Sequence, residues 1–288
     1  MYRIGIIGTE NSHAMAFAKI MNQNPAKGAR VVGVMGPDGS AEKIMDEVGV
    51  DFVAKDAAEF FGKVDAMMVT CRHGSKHADY ARPFIEAGLP MFIDKPLTVD
   101  VKEAAALLTL AKQKKVLVSG GSGCKYAADV QKLKTAAAEL RGENALMSAA
   151  MAYTANLYNE YDGLHFYAPH LVEVALTVLG GNIETVRASA SGGSVAVTAQ
   201  YPDLLASLHF INETRTLACT LFGKEKTVSS DIDLSVIYEA EVDRFLHMLN
   251  TGEMPQTYAE LLKPVQVVCA IVEAVATGQA VSCADIAL

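Results

Sequence analysis

The first half of the chain alternates short apolar runs with longer amphipathic stretches. The apolar runs predict buried strands at residues 3–7, 31–35, 65–70, 91–93 and 116–119. The amphipathic stretches predict helices at residues 12–21, 41–48, 75–87 and 100–114, the third of them broken or kinked at Pro83. Strands that are apolar throughout and alternate with helices are typical of a parallel sheet covered on both faces. The pattern therefore predicts a doubly wound α/β fold.

From residue 144 the pattern changes. It predicts a long strand over 144–157 and a helix over 164–179 that ends at Gly180. Four further segments, separated by short turn sequences, predict an antiparallel meander over 183–191, 194–201, 204–211 and 214–222. Two helices then close the chain. We expect one domain over residues 1–122 and a second, α+β domain over residues 123–288, built on a large, open, mostly antiparallel sheet.

Composition limits the partners and the compartment. The chain has 288 residues, 51% hydrophobic and 20% charged, which is typical of a globular protein. Its net charge of −8 argues against a nucleic acid or an anionic membrane as partner. The sequence has no signal-peptide pattern and no apolar run of membrane-spanning length. Five scattered cysteines favour reduced thiols, so we expect a cytoplasmic protein without a metal site.

The sequence Asp94-Lys95-Pro96 ends the strand predicted at 91–93, because proline cannot donate to a sheet ladder. In open α/β sheets, ligands bind at the carboxyl ends of the strands. Lys95 is therefore a candidate acid/base or electrostatic group. The alternative is a surface lysine before a turn, and the tripeptide by itself does not separate the two.

The turn after the first strand is where a dinucleotide pyrophosphate would lie, against the N-terminus of the first helix. Gly8 fits the first glycine of the pattern G-x-G-x-x-G, but Glu10 and His13 occupy the second and third glycine positions. A carboxylate at the second position opposes phosphate binding, so weak or absent cofactor binding is the alternative. Asp38, after the second strand, is a candidate ribose ligand that does not separate NAD from NADP.

The strand predicted at 65–70 ends at the same edge of the sheet. Arg72 follows it and can pair with a phosphate. His77 lies near the start of the next helix, where a single histidine is more often structural than catalytic. The candidate cofactor contacts are Gly8, Thr9, Glu10, Ser12, His13, Asp38, Thr70, Cys71, Arg72, His77, Asp94 and Lys95.

The order of the glycine turn, of Thr70 with His77, and of Asp94-Lys95-Pro96 resembles the glucose-fructose oxidoreductase / inositol dehydrogenase (Gfo/Idh/MocA) family. The family has glutamate where this chain has Asp94. The resemblance extends over almost the whole chain. It implies a Rossmann domain that binds NAD or NADP. It also implies a second domain for substrate binding, whose sheet forms a homodimer or homotetramer.

Residues 162–173 contain the densest group of polar and aromatic side chains. The family has the pattern Asp-x-x-x-His-x-x-Asp here, and the resemblance places His170 at the histidine and Glu173 at the second acid. Phe166 stands where the first aspartate is expected. His165 or Asp162, about one helical turn away, are candidates to replace that aspartate.

These residues predict hydride transfer between a nicotinamide and a hydroxyl or keto carbon of a sugar or cyclitol-like polyol. His170 would accept the hydroxyl proton, and Lys95 would stabilise the developing alkoxide. The further candidates for substrate binding are Tyr126, Tyr153, Asp162 and His165. Two alternatives remain: a ligand-binding or regulatory protein on the same fold, and a redox-neutral lyase or epimerase with tightly bound NAD.

Overall fold

The computed structural model describes residues 1–37, 39–283 and 288. Six strands form the first sheet: β1 Tyr2–Ile7, β2 Ala29–Met35, β3 Phe52–Val53, β4 Ala66–Val69, β5 Met91–Asp94 and β6 Val118–Gly121. All neighbours pair in parallel, in the order β3–β2–β1–β4–β5–β6. The order reverses at β1, which confirms the predicted doubly wound sheet. Only β3 was missed, because two residues are too few to form a pattern.

The helices that follow these strands are α1 Ser12–Asn22, α2 Ser40–Val48, α3 His77–Glu86 and α4 Val101–Lys114. Asn11 caps α1 by accepting a hydrogen bond from the backbone N of His13 at 3.1 Å. Pro83 lies inside α3, and the helix continues past it. Of the predicted break or kink, the break is wrong, because a proline removes one backbone hydrogen bond and the rest of this short helix is retained.

Seven strands form the second sheet: β7 Leu146–Thr154, β8 Thr185–Ser191, β9 Ser194–Gln200, β10 Leu205–Ile211, β11 Ala218–Gly223, β12 Thr227–Asp231 and β13 Val281–Ser282. Their order is β12–β11–β7–β10–β9–β8–β13, and only the β7–β10 pair among them is parallel. The predicted meander is correct for β8 to β10. It is wrong for β11, which lies on the other side of β7, because alternation of apolar and polar residues does not specify the neighbouring strand.

Four helices complete the described part of the chain: α5 Ala128–Gly142, α6 Ala168–Leu179, α7 Ile237–Thr251 and α8 Tyr258–Thr277. Apolar side chains of α5, α6 and α8 pack on the inner face of the second sheet. Helices α7 and α8 also contribute to the core around the first sheet, through Phe245 and Leu262. The helices near the end of the chain thus join the two sheets. None of the described helices is both long and apolar enough to cross a membrane.

Candidate active site

Lys95 follows the last residue of β5 and is almost completely buried, with 3% of its surface exposed. Its ammonium group donates a hydrogen bond to the backbone oxygen of Phe166 at 2.9 Å and lies 4.3 Å from the centre of the Phe166 ring. Burial lowers the pKa of Lys95, against the attraction of Asp94 and Glu241. The lysine is therefore a positioned group whose proton is easier to remove than that of a surface lysine.

His170 lies in the first turn of α6, with Nδ1 2.7 Å from the hydroxyl of Ser122. Burial, together with the charges of Lys95 and His13, holds the pKa of His170 well below its usual value. The imidazole is therefore neutral at pH 7 and able to accept a proton. Ser122 lies just after β6, where the backbone N of Ser122 donates to Glu173 Oε1 at 2.7 Å.

Lys95 and His170 line the same cavity, which has a volume of about 330 Å³. It lies between the carboxyl edge of the first sheet and the second domain. Tyr153 of β7 and Arg72, after β4, share its wall with the turn that follows β1. The structure thus brings together the predicted proton acceptor, the predicted electrostatic group and part of the predicted cofactor turn.

The glycine turn brings the chain close to the loop after β4. Gly8 has a φ of 100°, and a Cβ atom there would collide with the backbone of Cys71. The carboxylate of Glu10 accepts a hydrogen bond from the backbone N of Arg72 at 3.1 Å, so it is held against that loop. The backbone N–H groups of Thr9, Glu10 and Ser12 have no acceptor among the described residues. These donors, at a helix N-terminus, fit the pyrophosphate of a dinucleotide.

The side chain of His13 fills the position of the third glycine. Its Nδ1 lies 2.7 Å from Asp94 Oδ2, and its ring lies 4.8 Å from that of Tyr238 in α7. Burial opposes ionisation of Asp94, but the nearby His13 and Lys95 outweigh burial and lower the pKa of Asp94 to about 2. The Asp94 carboxylate also accepts hydrogen bonds from the Asn11 amide and the backbone N of Lys95. Both oxygens of this predicted cofactor ligand thus have partners within the protein.

Two predicted cofactor residues are turned away from the cavity. His77 is fully buried, and its ring nitrogens lie 2.6 Å from the backbone oxygen of Pro96 and 2.8 Å from that of Cys71. Thr70 donates its hydroxyl to the backbone oxygen of Gly8 at 3.0 Å. Both side chains join the loops that form the carboxyl edge of the sheet. Their role in this structure is to position that edge.

Three predicted substrate residues do not line the cavity of Lys95 and His170. His165 lines a separate, mainly apolar cavity beside Pro96. Tyr126 lines a groove on another part of the surface, and Asp162 accepts hydrogen bonds from the backbone and hydroxyl of Ser75. Neither His165 nor Asp162 takes the place of the missing aspartate. Asp38 lies outside the described residues.

Sequence reasoning missed Ser122 and Tyr161. The Tyr161 hydroxyl accepts a hydrogen bond from the Arg72 guanidinium at 2.7 Å, across the junction between the two sheets. Arg72 and Tyr161 are 89 residues apart in sequence, and Ser122 and His170 are 48 residues apart. No local pattern marks such pairs.

Part of the sequence matches the model of a known protein family. Residues 2–122 match the model of an oxidoreductase family with an NAD-binding Rossmann fold, GFO_IDH_MocA. Over these residues, which make up less than half of the chain, the chain is similar to the Gfo/Idh/MocA oxidoreductase family. This confirms the predicted family and, at the level of the family, the nicotinamide cofactor. Among curated proteins, none matches the chain in sequence.

Solved structures of inositol dehydrogenases share the fold of this chain over almost its whole length. One is scyllo-inositol dehydrogenase from Lactobacillus casei with bound NAD(H) and scyllo-inositol, at 14% identity, a TM-score of 0.83, and coverage of 98% of this chain and 99% of that chain. Another is myo-inositol dehydrogenase from Corynebacterium glutamicum, at 16% identity, a TM-score of 0.81, and coverage of 99% and 100%. At such identities the similarity establishes the fold.

Proposed function

We propose that the chain is an NAD(P)-dependent oxidoreductase that transfers a hydride between the nicotinamide and a hydroxyl or keto carbon of a sugar or cyclitol-like substrate. The observation that carries the proposal is the shared cavity of Lys95 and His170. It lies beside a turn whose backbone donors fit a pyrophosphate. The inositol dehydrogenases of similar fold support this substrate class.

The side chains have separate roles in this reaction. When bound, the nicotinamide supplies the hydride chemistry. His170, neutral because of its low pKa, accepts the hydroxyl proton. Its Nδ1 faces Ser122, so Nε2 is the nitrogen that remains for the substrate. The buried ammonium of Lys95 stabilises the negative charge that develops on the substrate oxygen.

A thermal-shift titration with NAD⁺, NADH, NADP⁺ and NADPH tests the cofactor part of the proposal. A ligand at about 100 times its dissociation constant adds roughly 2.7 kcal/mol to the free energy of unfolding, which raises the midpoint by several degrees. We expect the unfolding midpoint to rise with NAD⁺ and NADH, with NADP⁺ and NADPH, or with both pairs. No shift with any of the four at millimolar concentration would contradict the proposal and favour a regulatory, ligand-binding role.

We also propose that the outer face of the second sheet forms a homodimer or homotetramer. This face carries the exposed side chains of Leu205 and Ile211 in β10 and of Phe222 in β11, all at least 40% exposed. Light scattering after gel filtration tests the proposal. Leu205→Glu is expected to yield monomers, whereas Glu213→Gln, outside the strands, is expected to leave the oligomer unchanged. A monomeric wild-type protein would refute the proposal.

A further inference from the structure

The cavity of Lys95 and His170 is positively charged in an acidic protein. Of the described residues that line it, none is aspartate or glutamate, whereas the whole chain has a net charge of −8. Arg72 and Lys95 enter the cavity wall from the loops after β4 and β5. The site therefore differs in sign from the rest of the molecule, which favours an anionic ligand.

Among the described residues, the side-chain nitrogens of Arg72 and Lys95 have only uncharged partners within hydrogen-bond distance. The Arg72 guanidinium donates to the hydroxyl of Tyr161 and lies 5.0 Å from the centre of that ring. The Lys95 ammonium donates to the backbone oxygen of Phe166. In the described part of the chain, neither cation forms an ion pair with a carboxylate. Partly or fully buried cations without a counter-ion are costly, and a bound anion would reduce that cost.

The carboxylates behind the cavity wall do not complete these pairs. Asp94 contacts His13 and accepts hydrogen bonds from Asn11 and the backbone N of Lys95. Burial and the charge of Asp94 raise the pKa of Glu241 well above its usual value, which favours its uncharged form. Neither carboxylate therefore forms an ion pair with the Lys95 ammonium, although Asp94 attracts its charge.

The wall of the cavity is also poorly suited to a neutral polyol. Every hydroxyl of a polyol can donate a hydrogen bond. Side-chain carboxylates are the acceptors that form the strongest such bonds. Here Phe166 replaces the aspartate expected from the family pattern. Arginine, lysine and tyrosine side chains donate hydrogen bonds, and the planar guanidinium matches a carboxylate in geometry.

We propose that the substrate is a sugar-derived hydroxy acid whose carboxylate binds Arg72, with the reacting hydroxyl between Lys95 and His170. This inference rests on the proposed oxidoreductase function and narrows its substrate class. A cavity of about 330 Å³ is at the lower end of the range of small-ligand pockets, roughly 300–1,000 Å³, as expected for a compact acid. The aromatic rings of Tyr153 and Tyr167 provide apolar walls for its carbon chain.

Two matched ligand pairs test the carboxylate: D-gluconate with D-glucitol, and L-tartrate with L-threitol. Each pair has the same number of carbons and differs at the terminal groups. Calorimetric titration is carried out on the protein alone and with saturating NADH, where an alcohol substrate binds without turnover. We expect the acid of at least one pair to bind tenfold more tightly than its polyol. Raising NaCl from about 50 to about 500 mM should weaken the binding of the acid and leave the binding of the polyol unchanged.

Variants separate this site from general charge effects. Arg72→Gln should remove most of the acid preference. Arg244→Gln, which removes a guanidinium from another groove, should not. Phe166→Asp should shift the preference towards the polyol, and Phe166→Asn is the uncharged control of similar size. The affinity for NADH is measured for each variant, so that an effect of Arg72 on the cofactor is recognised.

The outcomes separate the two proposals. Absence of any difference within both pairs, including absence of binding, would overturn the hydroxy-acid assignment even where NADH binds. Tighter binding of D-glucitol 6-phosphate than of gluconate would overturn the carboxylate in favour of a phosphate. Failure of every dinucleotide to bind would instead refute the oxidoreductase function, while an acid preference of the protein alone would still define the ligand class.

Discussion

His13 Nδ1 lies 2.7 Å from Asp94 Oδ2, and this contact joins the first turn of α1 to the end of β5. Both residues are departures from expected motifs, a histidine in the glycine pattern and an aspartate before the lysine. Their contact lies at the carboxyl edge of the first sheet, where both side chains are buried. The side chain in the third glycine position is accommodated because a buried carboxylate and the ring of Tyr238 receive it.

The first prediction concerns the stability of this pair in acid. The pKa of Asp94 is lowered from 3.8 to about 2, so its ionisation stabilises the fold above pH 4 and loses this effect as the pH falls towards 2. The full effect is on the order of 2 kcal/mol. Asp94→Asn should therefore destabilise the protein most at pH 5 to 7, with a smaller difference at pH 3.

Urea unfolding over this pH range measures the difference, with Asp46→Asn as a control at an exposed position of α2. The free energy of unfolding of Asp46→Asn should equal that of the wild type at every pH. A difference between wild type and Asp94→Asn that does not change between pH 6 and pH 3 would mean that the charge of Asp94 contributes nothing.

The second prediction concerns Glu241, a buried residue of α7 whose two carboxyl oxygens have no hydrogen-bond partner among the residues that the structure describes. Because its pKa is raised in the folded state, its stability contribution is complete below the unfolded pKa, near 4.5, and is lost as the pH rises through the folded pKa. Glu241→Gln should therefore resemble the wild type at pH 4.5. At pH 8 it should be more stable, by roughly 1 to 3 kcal/mol.

Thermal unfolding at the two pH values gives the comparison, and Glu253→Gln, at an exposed position, gives the baseline for loss of one negative charge. If Glu241→Gln were less stable than the wild type at pH 8, the Glu241 carboxylate would have to form an ion pair or hydrogen bond in solution.

Sequence patterns predicted the fold well because the five predicted strands of the first sheet are largely buried on both faces, and continuous apolar runs are the direct consequence. They also made Lys95 a candidate, because it follows a buried strand and precedes Pro96, although the tripeptide by itself left a surface lysine equally open. The position of His170 came from the family resemblance. The structure places both residues at one cavity.

The patterns failed where contacts join distant segments. Ser122 follows two glycines and has no distinctive sequence context, yet its hydroxyl lies against His170. His165 looked like an active-site residue because it is near His170 in sequence, but the short 3₁₀ helix Gly163–Phe166 directs it to another cavity. Neither the Ser122–His170 contact nor the position of His165 can be read from local periodicity, because both depend on segments that are distant in sequence.

The third prediction is that Ser122 selects the tautomer of His170. If the serine hydroxyl accepts a hydrogen bond from Nδ1–H, Nε2 carries the lone pair that the proposed function needs. Long-range ¹⁵N NMR of histidine-labelled protein should show the Nδ1–H form in the wild type and a mixture of forms in Ser122→Ala. Ser122→Thr should keep the wild-type signal. Observation of the Nε2–H form in the wild type would exclude His170 as the direct proton acceptor.

The fourth prediction concerns the acid in the glycine turn. Glu10→Gln retains an acceptor for the backbone N of Arg72 and removes a negative charge near the predicted pyrophosphate position. We expect tighter dinucleotide binding, between about twofold and tenfold, with the upper value equal to roughly 1.4 kcal/mol. Glu47→Gln, at an exposed helix position, is the control. Weaker binding by Glu10→Gln would show that the charged carboxylate supports the cofactor.

The last prediction separates chemistry from binding at Lys95. Lys95→Met keeps an unbranched side chain that is one atom shorter and removes the ammonium group that lies over the Phe166 ring. If that charge stabilises the substrate oxygen only as it becomes negative, the variant should lose turnover by at least a hundredfold, about 2.7 kcal/mol, while dinucleotide affinity stays within about tenfold. Lys76→Met, at an exposed position before α3, should keep both properties. Turnover by Lys95→Met close to the wild-type rate would assign Lys95 to the support of the domain junction, because its hydrogen bond to Phe166 would then be its main contribution.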